Sequence, residues 1–219
     1  MIKNLIFDFG GVVIPLSPET AMERFEALGI KDARQRLGAY GQQGIFRQAE
    51  DGSITADEFQ RALGRLAQEQ GYDFGDREPV FTFEQCRWAW TGYAKYVDQV
   101  RLQNLLRLKE TYQVILLSNT NPFMMDWADS TQFSVDGHPI GYYFHKTYYS
   151  YQLKDYKPSP TIFQKVMDDA DIRAAETLFL DDGQHNVEAA RRVGLHALLV
   201  PDNQDWMPLL QDNLKTLNH

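Results

Sequence analysis

Asp8 closes the apolar run Leu5-Ile6-Phe7 and is followed, after Phe9, by the pair Gly10-Gly11. A short hydrophobic run closed by glycines reads as a buried parallel strand, and ligands of open α/β sheets bind at the carboxyl ends of such strands. A carboxylate at that tip reads as a nucleophile. Gly10 and Gly11 let the chain turn sharply and let a ligand approach the backbone. Three further stretches complement it. Ser118-Asn119-Thr120-Asn121 ends another apolar run and sets a hydroxyl and amides where backbone N–H groups can bind an anion; the alternative is a loop cap. Lys157 precedes Pro158, which favours extended backbone, and Ser159-Pro160 then supplies an N-cap and a first helical residue. Asp181-Asp182-Gly183 ends a third run. Adjacent carboxylates repel each other unless a cation or proton lies near, so the pair points to a hard cation with oxygen ligands, most simply Mg²⁺. One of the two could also cap the helix that follows.

The pattern of apolar residues indicates the elements that must hold these groups. Residues 2–14 form a first strand and its exit, with Val12-Val13-Ile14 continuing the apolar run before Pro15 and Pro18. From Ser17 to Tyr93 the period is helical, as at Met22, Phe25 and Leu28, with Gly29 a helix stop. Thr55-Ala-Asp-Glu58 after the turn Asp51-Gly52 is a capping box. From Lys95 onward helices alternate with short β runs: a helix from Val100 to Lys109, then strands at Val114–Leu117, Leu178–Leu180 and Ala197–Val200. This alternation predicts an α/β fold with a doubly wound parallel sheet and a Rossmann-like core. The first strand joins the later ones, so residues 1–16 and 95–219 form the core domain, and residues 17–94 form a helical cap inserted over the sheet's carboxyl edge.

A chain of 219 residues with 43% hydrophobic and 24% charged residues is an ordinary globular composition, and it disfavours wholesale disorder. No stretch approaches a membrane span, and the first apolar run is broken by Asp8 too early for a signal peptide, so a cytoplasmic location is the expectation. Cys86 is the only cysteine, which rules out an intrachain disulfide and a thiolate zinc site and leaves it as core filler. A net charge of −8 repels polyanions, so nucleic acid is not an expected partner, and anionic substrates need a screening cation.

These stretches, in this order, resemble the haloacid dehalogenase superfamily, and within it the phosphatase-like members with a helical cap after the first motif. Phe7-Asp8-Phe9-Gly10-Gly11-Val12 is similar to the first motif, Leu117-Ser118-Asn119 to the second, Lys157-Pro158 with Ile162-Phe163 to the third, and Phe179-Leu-Asp-Asp182 with Asn186-Val187, Ala189-Ala190 and Gly194 to the fourth. The resemblance spans nearly the whole chain. It implies that Asp8 attacks phosphorus to give an aspartyl phosphate, which water hydrolyses. Ser118 and Asn119, with Gly11 beside them, would bind the phosphate, and Lys157 would neutralise Asp8 and the phosphoryl group. Mg²⁺ would be held by Asp8, Asp182 and the Gly10 carbonyl, with Asp181 near or in the shell.

One position departs from the pattern. Most phosphatases of this superfamily carry a second Asp two residues after the nucleophile as acid/base, and here that residue is Gly10. General acid–base help is worth roughly 10²–10⁴-fold. The resemblance extends to a branch that includes bacterial sugar-1-phosphate phosphatases, whose anomeric leaving group needs less protonation, so the expected substrate is a small phosphorylated metabolite, with sugar phosphates among the candidates. The rivals are a metal-independent 2-haloacid dehalogenase, a phosphomutase, and a binding protein that kept the fold without turnover. Asp181-Asp182 speaks against the dehalogenase, which has no use for a cation site. Within 44–52, which would face the site by analogy, Arg47 is a candidate substrate contact. Trp88, Trp90, Tyr93 and Tyr96 read as packing, and His185 as solvent-facing. The run Tyr142-Tyr143, Tyr148-Tyr149, Tyr151 and Tyr156 reads equally as an edge strand, a loop wall or a contact.

Overall fold

The computed structural model describes residues 1–38, 41–201 and 203–218. β1 (Asn4–Phe7) is followed by five helices, α1 (Pro18–Ala27), α2 (Ala33–Arg36), α3 (Ile45–Asp51), α4 (Ala56–Glu69) and α5 (Phe83–Trp90). Then come α6 (Gln99–Lys109), β2 (Gln113–Ser118), α7 (Pro122–Ala128), β3 (Lys146–Tyr149), α8 (Ser150–Leu153) and α9 (Pro160–Ala170). The chain ends with β4 (Thr177–Asp181), α10 (Gln184–Arg192), β5 (His196–Leu199) and α11 (Trp206–Leu217). The five strands form one parallel sheet in the order β3-β2-β1-β4-β5.

β1 lies in the middle because it is apolar on both faces, and the pleat sends alternate side chains to opposite layers. Leu5 and Phe7 join Leu116 and Leu180 in a core closed by α6 and α11, through Leu102, Leu105, Trp206 and Leu210. Ile6 points the other way, to Ile115, Leu117 and Phe179, where α9 and α10 contribute Ile162, Phe163, Ala189 and Ala190. The register pairs Phe7 with both Leu116 and Leu180, so the three central strands end within two residues of one another. Whatever follows those residues is delivered to one edge.

Residues 18–93 carry helices and no strand among those described. Aromatic side chains fill their interior, with Phe25 against Trp90 at 5.4 Å and Phe46 against Phe59 at 5.7 Å between ring centres. The expected capping box starts α4: Thr55 Oγ1 accepts from Glu58 N–H at 3.3 Å, and Glu58 Oε2 accepts from Thr55 N–H at 2.8 Å. A second box, Thr82 with Gln85, starts α5. Cys86 is buried, and burial pushes its thiol up to about 12. Of the tyrosine run only Tyr148 and Tyr149 fall in the edge strand β3, which is paired to β2 alone; Tyr151 lies in α8 and Tyr156 lines the cleft. Ser159 stands at the N-cap of α9, but its hydroxyl meets Thr161 Oγ1 at 2.8 Å instead of a backbone N–H.

Candidate active site

Three strand ends and one loop converge. Asp8 follows β1, with its N–H donating to the Leu180 carbonyl at 2.9 Å, so its backbone continues the ladder toward β4. The chain then folds tightly: Val13 and Ile14 N–H both donate to the Phe9 carbonyl at 2.9 Å. Gly11 takes φ +75, and a Cβ there would stand 1.9 Å from Asp182 Oδ2. Only glycine lets this loop pass beside the acidic doublet. Thus Gly11 makes room for Asp182, whereas Gly10 lines the cleft next to Asp8.

Lys157 holds the site together. Its side chain is 1% exposed, and its ammonium reaches Asp8 Oδ1 at 2.8 Å, Asp181 Oδ2 at 2.7 Å and the Leu117 carbonyl at 3.1 Å. An ammonium has three donors, and all are used. Burial opposes its charge, but Asp181 and Asp8 outweigh that and hold the ammonium above its ordinary value. Asp8 Oδ1 also accepts from Phe9 N–H at 2.7 Å, which fixes the carboxylate plane.

Asp181 and Asp182 divide the labour expected of them together. Asp181, expected near or in the metal shell, is fully buried and its oxygens are engaged by protein donors. Oδ1 accepts from Gly183 N–H at 2.8 Å and from Asn186 Nδ2 at 2.9 Å, and Oδ2 takes Lys157. Asp182 instead opens onto the cleft. Burial, with repulsion from Asp8 and Asp181, pushes its carboxyl up to about 8. Asp8 is likewise raised to about 7 by burial, with Lys157 resisting and Asp181 adding to the rise.

Three carboxylates therefore face one ammonium. Asp8, Asp181 and Asp182 each offer an oxygen within 4.8 Å of the others, the one such cluster among the described residues. The excess negative charge and the hard oxygen donors fit a divalent cation, with Asp8 and Asp182 as the available ligands.

Ser118, at the end of β2, is buried with its hydroxyl 3.3 Å from the Asn119 carbonyl, and it lines the cleft. Asn119 also lines the cleft. Its side chain closes a reciprocal pair with the Lys157 main chain, donating to the carbonyl and accepting from the N–H, both at 2.9 Å. That amide positions the lysine loop. Arg47 is corrected: it does not line the cleft, because its guanidinium stacks 3.5 Å from the Tyr156 ring centre and lies 3.4 Å from Asp51. The residue of α3 that reaches the cleft is Glu50.

Gln42, Trp90, Tyr93, Met124 and Tyr156 complete the walls of the cleft. Trp90 and Tyr93, read as packing, do both jobs: they are buried and they wall the cleft. Trp88, Tyr96 and His185 are exposed. Glu50 was within reach of sequence reasoning, since it falls on the stripe Phe46-Ala49-Glu50 that α3 buries, and a carboxylate on an apolar stripe signals a buried acid.

A haloacid dehalogenase-like hydrolase model matches residues 2–194, which is most of the chain and includes every group described above. The chain belongs to the haloacid dehalogenase-like hydrolase family. Within this family it is 42% identical over 206 residues to D-ribitol-5-phosphate phosphatase of Bacteroides thetaiotaomicron, covering 94% of this chain and 95% of that protein. Two solved structures share the architecture across nearly their whole length. A predicted member of the family from Porphyromonas gingivalis superposes with a TM-score of 0.89 at 32% identity, covering 98% of both chains. A family enzyme from B. thetaiotaomicron, crystallised as an Asp-to-Ala mutant with magnesium and inorganic phosphate, superposes with a TM-score of 0.84 at 34% identity, covering 96% of this chain and 99% of that one. Among the described residues of the chain itself, no helix is long and apolar enough to cross a membrane.

Proposed function

We propose that this hydrolase cleaves small phosphorylated sugars or alditols with Mg²⁺, through an aspartyl phosphate on Asp8. The observation that carries the reading is the meeting of Asp8, Lys157 and Asp182 at one edge of the sheet, inside a cleft walled by both sheet loops and the helices of 17–94. Those helices act as the cap that encloses the substrate. A carboxylate aligned by Phe9 N–H and Lys157 attacks phosphorus in line with the ester oxygen. Lys157 stays charged throughout and offsets the negative charge that gathers on the transferring group. The Ser118 hydroxyl is placed to donate to a phosphate oxygen, and Asn119 keeps the lysine loop in register with β2. Held by Asp8, Asp182 and the Gly10 carbonyl, Mg²⁺ supplies the positive charge that lets an anionic substrate approach an anionic site.

The relative at 42% identity acts on an alditol phosphate, an ester of a primary alcohol rather than of an anomeric oxygen, which widens the substrate class beyond sugar 1-phosphates. A haloacid displacement would leave Asp182 without a task. The test is a screen of phosphorylated sugars and alditols for release of inorganic phosphate, with Mg²⁺ and with chelator. Release that requires Mg²⁺ and disappears in Asp8→Asn is expected; release that survives either treatment would contradict the reading.

A further inference from the structure

An ester of a primary alcohol leaves as a strongly basic alkoxide unless a proton reaches the bridging oxygen. The residue two beyond the nucleophile offers none: Gly10 has no side chain, and a Cβ there would meet the end of the Leu16 side chain at 2.9 Å. The helices that cover the cleft present another carboxyl. Glu50 is 6% exposed and lines the same cleft as Asp8, Lys157 and Asp182. Two ties to the catalytic loops set its place. Its Oε2 accepts from the hydroxyl of Tyr156, the neighbour of Lys157, at 3.1 Å. Its main-chain carbonyl accepts from Ser150 Oγ at 2.5 Å, and that oxygen accepts from Thr120 N–H, two residues beyond Ser118, at 2.9 Å. At Gly52 the end of α3 meets the start of α8 so closely that a Cβ would lie 2.2 Å from the Tyr151 carbonyl oxygen. Among the described residues Oε1 has no hydrogen-bond partner.

We propose that Glu50 is the acid/base of the reaction, a role that rests on the phosphatase reading above. As an Asp8 oxygen bonds to phosphorus, the bond from phosphorus to the ester oxygen breaks, and the Oε1 proton passes to that oxygen. Neutral alcohol departs and Glu50 becomes a carboxylate. Water then attacks phosphorus, the bond to Asp8 breaks, and Glu50 takes the water's proton, returning to its acid form as phosphate leaves. Burial pushes Glu50 up to about 8, with Tyr156 and Arg47 opposing and Asp51 and Asp8 adding, and Tyr93 also faces it. It therefore carries its proton at neutral pH.

The experiment compares phenyl phosphate with p-nitrophenyl phosphate, which are close in shape, lack sugar hydroxyls and differ in the basicity of the leaving group. Glu50→Gln keeps an oxygen for Tyr156 and removes the proton. The expected result is that the phenyl to p-nitrophenyl ratio of kcat/KM falls by about tenfold or more, part of the roughly 10²–10⁴-fold that acid–base catalysis supplies. In the unaltered chain, kcat/KM for phenyl phosphate should fall above about pH 8, where Glu50 loses its proton, while p-nitrophenyl phosphate shows no such limb. That arm needs no variant to fold. A smaller change in the ratio, whether both rates drop together or neither does, or identical pH profiles for the two esters, overturns the proposal. Mg²⁺-dependent hydrolysis of p-nitrophenyl phosphate and its loss in Asp8→Asn test the phosphatase reading separately.

Discussion

One ammonium organises the chemistry at the scale of residues. Lys157 is buried between Asp8 and Asp181, and each partner is held in turn by main-chain or amide donors. Removing the cation leaves two buried carboxylates unpaired, which is the costly way to break such a network. Lys157→Met should therefore lower stability in urea denaturation by about 3–5 kcal/mol, besides ending turnover. A loss under about 1 kcal/mol, the size typical of exposed pairs, would show that Lys157 is screened by solvent and that the burial described here is wrong. Asp8, Ser118, Lys157 and the acidic doublet were legible because each closes a recognisable apolar run or precedes a proline. The division between Asp181 and Asp182 was not, since it depends on which carboxylate the turn into α10 points inward. Nor was the task of Asn119, because nothing local to 117–121 tells that the Lys157 loop lies against it.

At the scale of elements, the site depends on how close the loop after β1 comes to the end of β4. Gly11 stands at the contact, in left-handed backbone and against Asp182. Gly11→Ala combines backbone strain with a clash, and it should cost about 1–3 kcal/mol and nearly all activity, because relief requires moving Asp182 or the Asp8 loop. Thermal denaturation and kcat together check this; full activity would mean that the loop has room to spare. β1, β2, β4 and β5 were readable from their apolar runs. β3 stayed open between an edge strand, a loop wall and a contact, because Lys146-Thr-Tyr-Tyr is a short strand with one partner and a pattern that loops share. Helix starts were readable where a capping box announced them, as at Thr55, and were missed at Thr82, where the same device was equally plain.

At the scale of the whole molecule, the helices of 18–90 are seated on the sheet layer mainly by aromatic packing. Phe123 of α7 meets Phe59 at 5.2 Å and Phe83 at 4.8 Å, whereas the ion pair Arg87–Asp126 at 2.9 Å is partly exposed. Phe123→Ala should cost about 3–5 kcal/mol, as large-to-small aromatic changes in a core do. Arg87→Ala should cost less than about 1 kcal/mol. Equal losses in chemical denaturation would mean that the contact is electrostatic. The layered α/β plan followed from the alternation of runs, but the cleft between the sheet edge and the helices of 18–93 did not. Its walls come from Glu50, Trp90, Tyr93 and Tyr156, which only the packing of α3 and α5 over the strand ends brings together. All of this geometry serves one claim, that Asp8 becomes phosphorylated. Protein quenched in acid during turnover of a radiolabelled alditol phosphate with Mg²⁺ should carry label on the peptide containing Asp8, and the Asp8→Asn protein should carry none. Turnover with no labelled protein, or label on another residue, would contradict the account.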